Sequence, residues 1–154
     1  MKIDASFAVA ALCVLCAACT PGAAGTPPPA GGSGSVIDVN LTQHAPTQTA
    51  AGESGGYAPA VTTVAVGSTI RFVNSDGFAH TATLIPGATT FPSGSPFAGS
   101  AQTQSGSVIS APWSSGTMQA GSGSQNIAID RPGTYLFGCF FHYGAPMRGT
   151  IVAQ

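Results

Sequence analysis

Apolar and polar residues alternate with a period of two along most of the chain from Val36 onward. Ile37, Val39 and Leu41 alternate with polar neighbours, which predicts a strand with one buried face. The same pattern, broken by Gly, Pro and Asn turns, predicts strands over residues 61–66, 69–73, 79–85, 126–129, 134–137 and 149–153. No stretch shows the apolar spacing of an amphipathic helix. Seven or eight short strands predict an all-β domain, an antiparallel β-sandwich with Greek-key connections.

Residues 86–124 interrupt this regular spacing with a long run rich in Gly, Ser, Thr and Gln. A loop of that length either has a function or contains elements that periodicity does not reveal. Val108 and Ile109 are candidates for part of a strand. Trp113, the single tryptophan, is expected to cover one edge of the core.

Residues 1–19 have the pattern of a signal peptide rather than of a folded element. The apolar run over residues 7–19 is about two thirds of the ~20 residues that a membrane-spanning helix needs, and Pro21-Gly22 follows it. Ala17-Ala18-Cys19 resembles the end of a bacterial lipobox, although Cys16 stands where that motif usually has leucine. We therefore expect export to the periplasm or beyond, either as a lipoprotein tethered to the membrane through Cys19 or after cleavage behind Ala18 without lipid.

Residues 20–35 consist almost entirely of Thr, Pro, Gly, Ala and Ser, a composition typical of a disordered linker. The predicted folded domain is therefore residues 36–154, a length that suits a single domain. Cys139 is the only cysteine in that domain, so it has no partner there for an intramolecular disulfide.

The chain is 44% hydrophobic and only 6% charged, with a formal net charge of −1. This apolar content indicates a packed core, and the lack of a basic surface argues against nucleic-acid binding. The charges predicted for the folded domain are Arg71, Arg131 and Arg148 against Asp38, Glu53, Asp76 and Asp130. Long-range electrostatic steering of a partner should therefore be weak.

The candidate chemistry lies in a Cys-x2-His-x4-Met motif formed by Cys139, His142 and Met147 on a loop between two predicted strands. His80 offers a second imidazole upstream, at the start of another predicted strand. A thiolate, two imidazoles and a thioether form the soft donor set expected of a blue-copper electron-transfer centre. Zinc could bind the same residues, but a thioether is a poor zinc ligand. Each residue alone has an ordinary explanation; their combination at this spacing favours copper.

Residues 64–74 and 133–152, together with His80, resemble the plastocyanin branch of the cupredoxins, the small blue-copper proteins. This resemblance covers most of residues 36–154. It implies a cupredoxin-like sandwich and one copper ion per chain. The ligands that it implies are His80, Cys139, His142 and Met147.

The resemblance also implies roles around the ligands. Thr81 occupies the position of a polar residue that braces the ligand loop, and Asn74 would assist it. Two departures concern the surroundings of the ligands rather than the ligands. The separation of 59 residues between His80 and Cys139 is longer than is typical, with the excess in residues 86–124, and Phe140-Phe141 is more aromatic than the usual pair.

The function implied is that of a blue-copper protein carrying single electrons between redox partners outside the cytoplasm. The alternative is a copper-binding, storage or non-redox interaction module on the same sandwich. Catalysis is not expected, because three histidines without a His-x-His pair offer no second copper site, and four protein ligands leave no open position. A redox partner is expected to dock near His142 through an apolar patch, with membrane contact only through a lipid anchor.

Three further assignments concern residues around or outside the motif. Phe140, Phe141 and Tyr143 either shield the copper or form the docking patch, and the sequence leaves both uses open. His44 is expected to be an ordinary surface residue, and Met118 to pack in the interior.

Overall fold

Alternating burial along the strands produces two β-sheets that enclose a common apolar core. A computed structural model describes residues 34–154. The predicted signal peptide, residues 1–19, and residues 20–33 of the predicted linker lie outside the described residues. The last linker residue, Ser35, already begins the first strand.

Twelve strands form within the described part of the chain. They are β1 (Ser35–Val39), β2 (Thr47–Thr49), β3 (Gly52–Ser54), β4 (Tyr57–Ala58), β5 (Val61–Val64), β6 (Thr69–Asn74), β7 (Thr83–Ile85), β8 (Gln104–Ser105), β9 (Ser114–Ser115), β10 (Ile127–Ala128), β11 (Gly133–Gly138) and β12 (Arg148–Ala153). One 3-10 turn, Gly99–Gln102, is the only helical element in residues 34–154. Within that range no helix has the length and apolarity to cross a membrane.

The strands form two main sheets and a separate hairpin. One sheet has the order β10-β6-β1-β4, the other has the order β5-β12-β11-β7-β9-β8, and β2 pairs with β3 alone. The predicted all-β sandwich is confirmed. Two pairs, β1 with β6 and β5 with β12, are parallel rather than antiparallel. Parallel neighbours cannot be joined by a tight hairpin, so the chain crosses elsewhere between these strands.

The core lies between the sheets and is built around aromatic side chains. Phe72 of β6 and Phe137 of β11 are fully buried, with ring centroids 5.1 Å apart. Trp113 stacks on Phe72 at 5.7 Å and is only 2% exposed. It therefore lies inside the core rather than at the edge where the sequence analysis expected it.

The predicted strand over residues 79–85 forms only at its end, as β7. Residues 80–82 bond to the long loop instead, because the backbone of His80 pairs with Met118 and the Ala82 amide donates to Ser115 Oγ at 2.8 Å. The 86–124 segment thus contains β8, β9 and the 3-10 turn. Val108 and Ile109 do not form a strand, because Val108 makes only an isolated bridge with Ala128. Ile109 is nevertheless fully buried.

The ends of three strands lie close together at one end of the sandwich. β6 ends at Asn74, β11 ends at Gly138 immediately before Cys139, and β12 begins at Arg148 immediately after Met147. The register of β11 and β12 brings Gly138 opposite Arg148. The residues that the sequence singled out for chemistry therefore lie beside the ends of regular strands.

Replacing the core phenylalanine Phe72 by alanine should lower the free energy of unfolding by about 3–5 kcal/mol, because it leaves a cavity beside Trp113 and Phe137. The matched control is Phe78→Ala, at a side chain that is 57% exposed, which should cost no more than about 0.5 kcal/mol. Urea unfolding of the copper-free protein measures both values. Equal losses in the two variants would contradict this description of the core.

Candidate metal centre

Two imidazoles and a thiol converge at the end of the sandwich where these strands end. The Nδ1 atoms of His80 and His142 are 3.1 Å apart. Cys139 Sγ lies 3.8 Å from the first of these nitrogens and 3.7 Å from the second. The structure thus brings together three residues that lie up to 62 positions apart in the sequence.

The spacing of these three atoms suits a metal ion. The point equidistant from them lies about 2.1 Å from each, which falls within the ~2.0–2.3 Å of metal–nitrogen and metal–sulfur bonds in protein sites. The donors are one sulfur and two imidazole nitrogens, a soft set that suits copper. By distance and by chemistry, the residues present fit a single ion.

A buried carboxylate that the sequence analysis did not identify orients His80. Asp76 Oδ2 lies 3.2 Å from His80 Nε2, and the side chains are 4% and 0% exposed respectively. Asp76 also accepts backbone hydrogen bonds from Leu41 at 2.8 Å and from Gly77 at 2.7 Å. A proton on Nε2, donated to the carboxylate, leaves the Nδ1 lone pair of His80 directed at the other donors.

The same contacts govern the charge of Asp76. Burial alone would raise the pKa of this carboxyl group, but hydrogen bonds from His80, Gly77 and Leu41 outweigh it and hold the pKa below its usual value. Asp76 is therefore an anion beside His80 at neutral pH. The available sequence signal was its position four residues before His80, in the Asn-Ser-Asp-Gly turn.

Cys139 is fully buried and held by backbone groups on two sides. Its amide donates to the Met147 carbonyl at 3.0 Å, and the Thr81 amide donates to its Sγ at 3.4 Å. Burial raises the pKa of the thiol, and the nearby backbone amides only partly offset this effect. The metal-free protein therefore carries a protonated thiol at neutral pH, and a cation is needed to favour the thiolate.

Thr81 and Asn74 connect the two segments that carry the donors. Thr81 Oγ1 accepts a hydrogen bond from the Phe140 amide at 2.8 Å, which ties the turn after Cys139 to the residue after His80. Asn74 Nδ2 donates to the carbonyls of Phe78 and Met118, at 2.7 and 2.9 Å. Asn74 thus shapes the turn that leads into His80.

Met147 is fully buried at the far end of the ligand loop. Its amide donates to the His142 carbonyl at 3.3 Å, so the loop from His142 to Met147 closes on itself. Gly56 packs against it with φ +70°, and a Cβ on that glycine would lie 2.5 Å from Met147 Cγ. The absence of a side chain at position 56 makes room for the thioether.

Two other residues singled out from the sequence, His44 and Met118, are not among the three donors. His44 Nε2 pairs with Asp38 Oδ2 at 2.6 Å on the partly exposed surface. Met118 is 1% exposed within the apolar core, and its backbone makes two hydrogen bonds with that of His80, at 2.8 and 3.1 Å. The segment around Met118 therefore holds the backbone of His80.

Comparison with known proteins agrees with this geometry. Residues 45–154 match the family model described as copper binding proteins, plastocyanin/azurin family. No curated protein sequence matches the chain significantly.

Solved structures show the same fold at low sequence identity. The chain is similar to a reduced Cu(I) form of an amicyanin mutant at pH 4, with 17% identity, a TM-score of 0.50, and coverage of 79% of this chain and 82% of amicyanin. The reduced state of a second amicyanin mutant gives 18% identity with the same TM-score and coverage. A purple cupredoxin from Nitrosopumilus maritimus gives 17% identity and a TM-score of 0.49, with coverage of 78% of this chain and 99% of that protein.

The pKa of His142 supplies a test on the metal-free protein. Burial lowers this pKa, and His80 lowers it further, against a smaller opposing effect of Asp76. The unfolded chain takes up this proton near the ordinary value of about 6.5, before the folded protein does. The free energy of unfolding should therefore fall as the pH drops through that value.

Urea unfolding of the metal-free protein at a series of pH values measures this dependence. His142→Asn should remove the part of the dependence that lies just below the ordinary histidine pKa, whereas His44→Asn should leave that part in place. A wild-type curve that is flat there, or unchanged by His142→Asn, would contradict the assignment.

Proposed function

The chain belongs to the plastocyanin/azurin family of copper binding proteins, and on that premise we propose that it carries single electrons between redox partners outside the cytoplasm. Its cofactor is copper. Copper supplies one-electron chemistry by alternating between Cu(II) and Cu(I). The observation that carries the proposal is the convergence of His80, Cys139 and His142 around one point at bonding distance.

The proposed ligands are the two Nδ1 atoms of His80 and His142, the Sγ of Cys139 and the thioether of Met147, for one copper ion per chain. Two imidazoles, a thiolate and a thioether would supply the soft donor set that favours one-electron copper chemistry. Support for Met147 comes from its full burial and from its backbone bonds to both Cys139 and His142.

The surrounding residues hold the donors in one arrangement whether the ion is oxidised or reduced. Asp76 fixes the ring of His80, the Thr81 amide points at the sulfur, and the Cys139–Met147 backbone bond closes the loop. Donors that keep their positions when the ion gains an electron lower the reorganisation energy of electron transfer. A frame of this kind favours an electron carrier.

The number of proposed ligands also favours electron transfer over catalysis. With four protein donors around one ion, no position remains for a substrate, and catalytic metal sites keep such a position open.

Electrons would enter and leave beside His142, the only partly exposed member of the three-donor cluster. Phe141, whose ring centroid lies 6.2 Å from that of His142, is 40% exposed. Gly144 and Ala145 on the same loop are also exposed. We define Phe141, Gly144 and Ala145 as the apolar patch, where a redox partner docks without needing charge.

Families of this kind are typically exported, and the sequence-based prediction of a signal peptide agrees with that location. We propose that Cys19 carries a lipid that tethers the protein to a membrane, with residues 20–35 as the spacer. Globomycin treatment of cells expressing the chain, followed by mass measurement of the mature N-terminus, distinguishes lipidation from simple cleavage.

The copper-loaded protein should be intensely blue, because a thiolate bound to Cu(II) gives a strong charge-transfer band in the visible region. Reconstitution of the purified domain with Cu(II), followed by absorption spectroscopy and cyclic reduction, measures this. Cys139→Ala should abolish the colour, and Met147→Leu should keep it while raising the reduction potential, because a thioether donor that would stabilise Cu(II) is lost.

Ile127→Val is the control, since this side chain is fully buried in the core and pairs with Ile70, at the end of β6 away from the donors. It should change neither colour nor potential. A colourless copper protein, or one whose copper does not cycle, would overturn electron transfer in favour of copper storage. An unchanged potential in Met147→Leu would remove Met147 from the ligand set.

Electron transfer should depend little on ionic strength, because the apolar patch carries no charge and the chain has a net charge of −1. Stopped-flow oxidation of the reduced protein by a strongly charged acceptor protein, from low to high salt, measures this. A rate that falls about tenfold or more with added salt would contradict docking on this patch.

A further inference from the structure

The segment 91–97, which we call the clasp, lies within the long insertion and contacts the loop that carries His142. We propose that the clasp fixes this loop through Tyr143, which is therefore a positioning residue for the copper site. The inference rests on the proposed function, but its structural part concerns the metal-free protein as well.

Tyr143 makes a specific polar contact with the clasp. Its hydroxyl donates to the Pro92 carbonyl at 3.0 Å, across 51 residues of sequence. Its ring meets Phe97 edge-on, with centroids 5.6 Å apart and an interplanar angle of 88°. Tyr143 is 2% exposed, and its hydrogen bond to Pro92 is partly buried. An apolar residue could fill the same space, but only a tyrosine would also bind the carbonyl.

The ring of Tyr143 also touches the chain on the other side of the site. A Cβ on Gly138 would lie 2.9 Å from Tyr143 Cδ2, which means that the ring packs directly on the backbone there. Gly138 immediately precedes Cys139, and Tyr143 immediately follows His142. One ring therefore spaces the two segments that hold two of the proposed ligands.

Arg148 holds Tyr143 from a third direction. Its guanidinium carbon lies 4.3 Å from the ring centroid, and its Nε donates to the Tyr143 carbonyl at 3.2 Å. A cation over an aromatic face is attractive, more so when water is partly excluded. Arg148 follows Met147, just as Gly138 precedes Cys139 and Tyr143 follows His142. The ring of Tyr143 therefore links the neighbours of three of the four proposed ligands.

The clasp is itself anchored away from the site. The Phe91 amide donates to the Ala51 carbonyl at 2.9 Å, in the turn of the β2–β3 hairpin. Phe91, Phe97 and Ala51 pack with Tyr143 in a small apolar cluster separate from the main core. The ligand loop is thus tied through Tyr143 to a second, independent body of packed residues.

The test compares Tyr143→Phe, which removes only the hydroxyl, with Tyr135→Phe. The control removes an equivalent bond, from Tyr135 to the Arg131 carbonyl at 3.1 Å, on an exposed surface. In the metal-free protein, hydrogen exchange of the Cys139, Ala145 and Met147 amides should become about three- to tenfold faster in Tyr143→Phe, the range expected for one lost hydrogen bond. The control should leave these amides unchanged.

In the copper-loaded protein, Tyr143→Phe should shift the reduction potential and the visible and EPR spectra, whereas Tyr135→Phe should not. Tyr143→Leu, which also removes the ring, should produce larger changes in the same direction. Thermal unfolding shows that each variant is folded. Exchange rates and spectra that match the control would overturn the inference.

Failure of the inference is distinguishable from failure of the proposed function. A wild-type protein that is not blue with copper would overturn electron transfer, and unchanged amide exchange in the metal-free Tyr143→Phe protein would separately overturn the positioning role. If the wild-type protein is blue with copper but Tyr143→Phe changes neither the spectra nor the amide exchange rates, the copper site is supported and the positioning role of the clasp is overturned.

Discussion

The structure depends on holding a buried thiol and two imidazole nitrogens within 4 Å of one another. Polar groups placed in an apolar interior are unfavourable unless each has a partner. Asp76 is the partner of His80 and the Thr81 amide is the partner of the Cys139 sulfur, while the backbone bond between Cys139 and Met147 closes the ligand loop. The aromatic core below them, centred on Phe72 and Phe137, makes the surrounding frame stiff enough to keep them there.

The parts of the molecule that were predictable are those whose cause is local. Alternation predicted β1, β5 and β6, because each has one face in the core. The apolar runs of β11 and β12 also predicted strands, which are buried at consecutive positions. The Cys-x2-His-x4-Met spacing predicted a ligand loop, because the strand ends on either side of it leave a turn of fixed length. The convergence of His80 on that loop followed from a resemblance rather than from any pattern within the chain.

The parts that were not predictable depend on contacts distant in sequence. The β2–β3 hairpin is too short and too polar to show alternation, and β4 has only two residues. Residues 80–82 have the composition of a strand but bond to the insertion, which the sequence could not reveal because Ser- and Gly-rich chain has no periodicity. Asp76 has the sequence context of an ordinary turn residue, and only the structure places its carboxylate beside His80.

The direction of β1 has a consequence for how the molecule can be held. Ser35 pairs with Ile70 and Val39 with Asn74, so β1 runs toward the end that carries His80 and His142, and its first residue lies roughly 13 Å further away. A tether attached ahead of Ser35 would therefore join the domain at the end opposite to His80 and His142. With the attachment at that end, the partly exposed His142 would remain accessible to a partner protein.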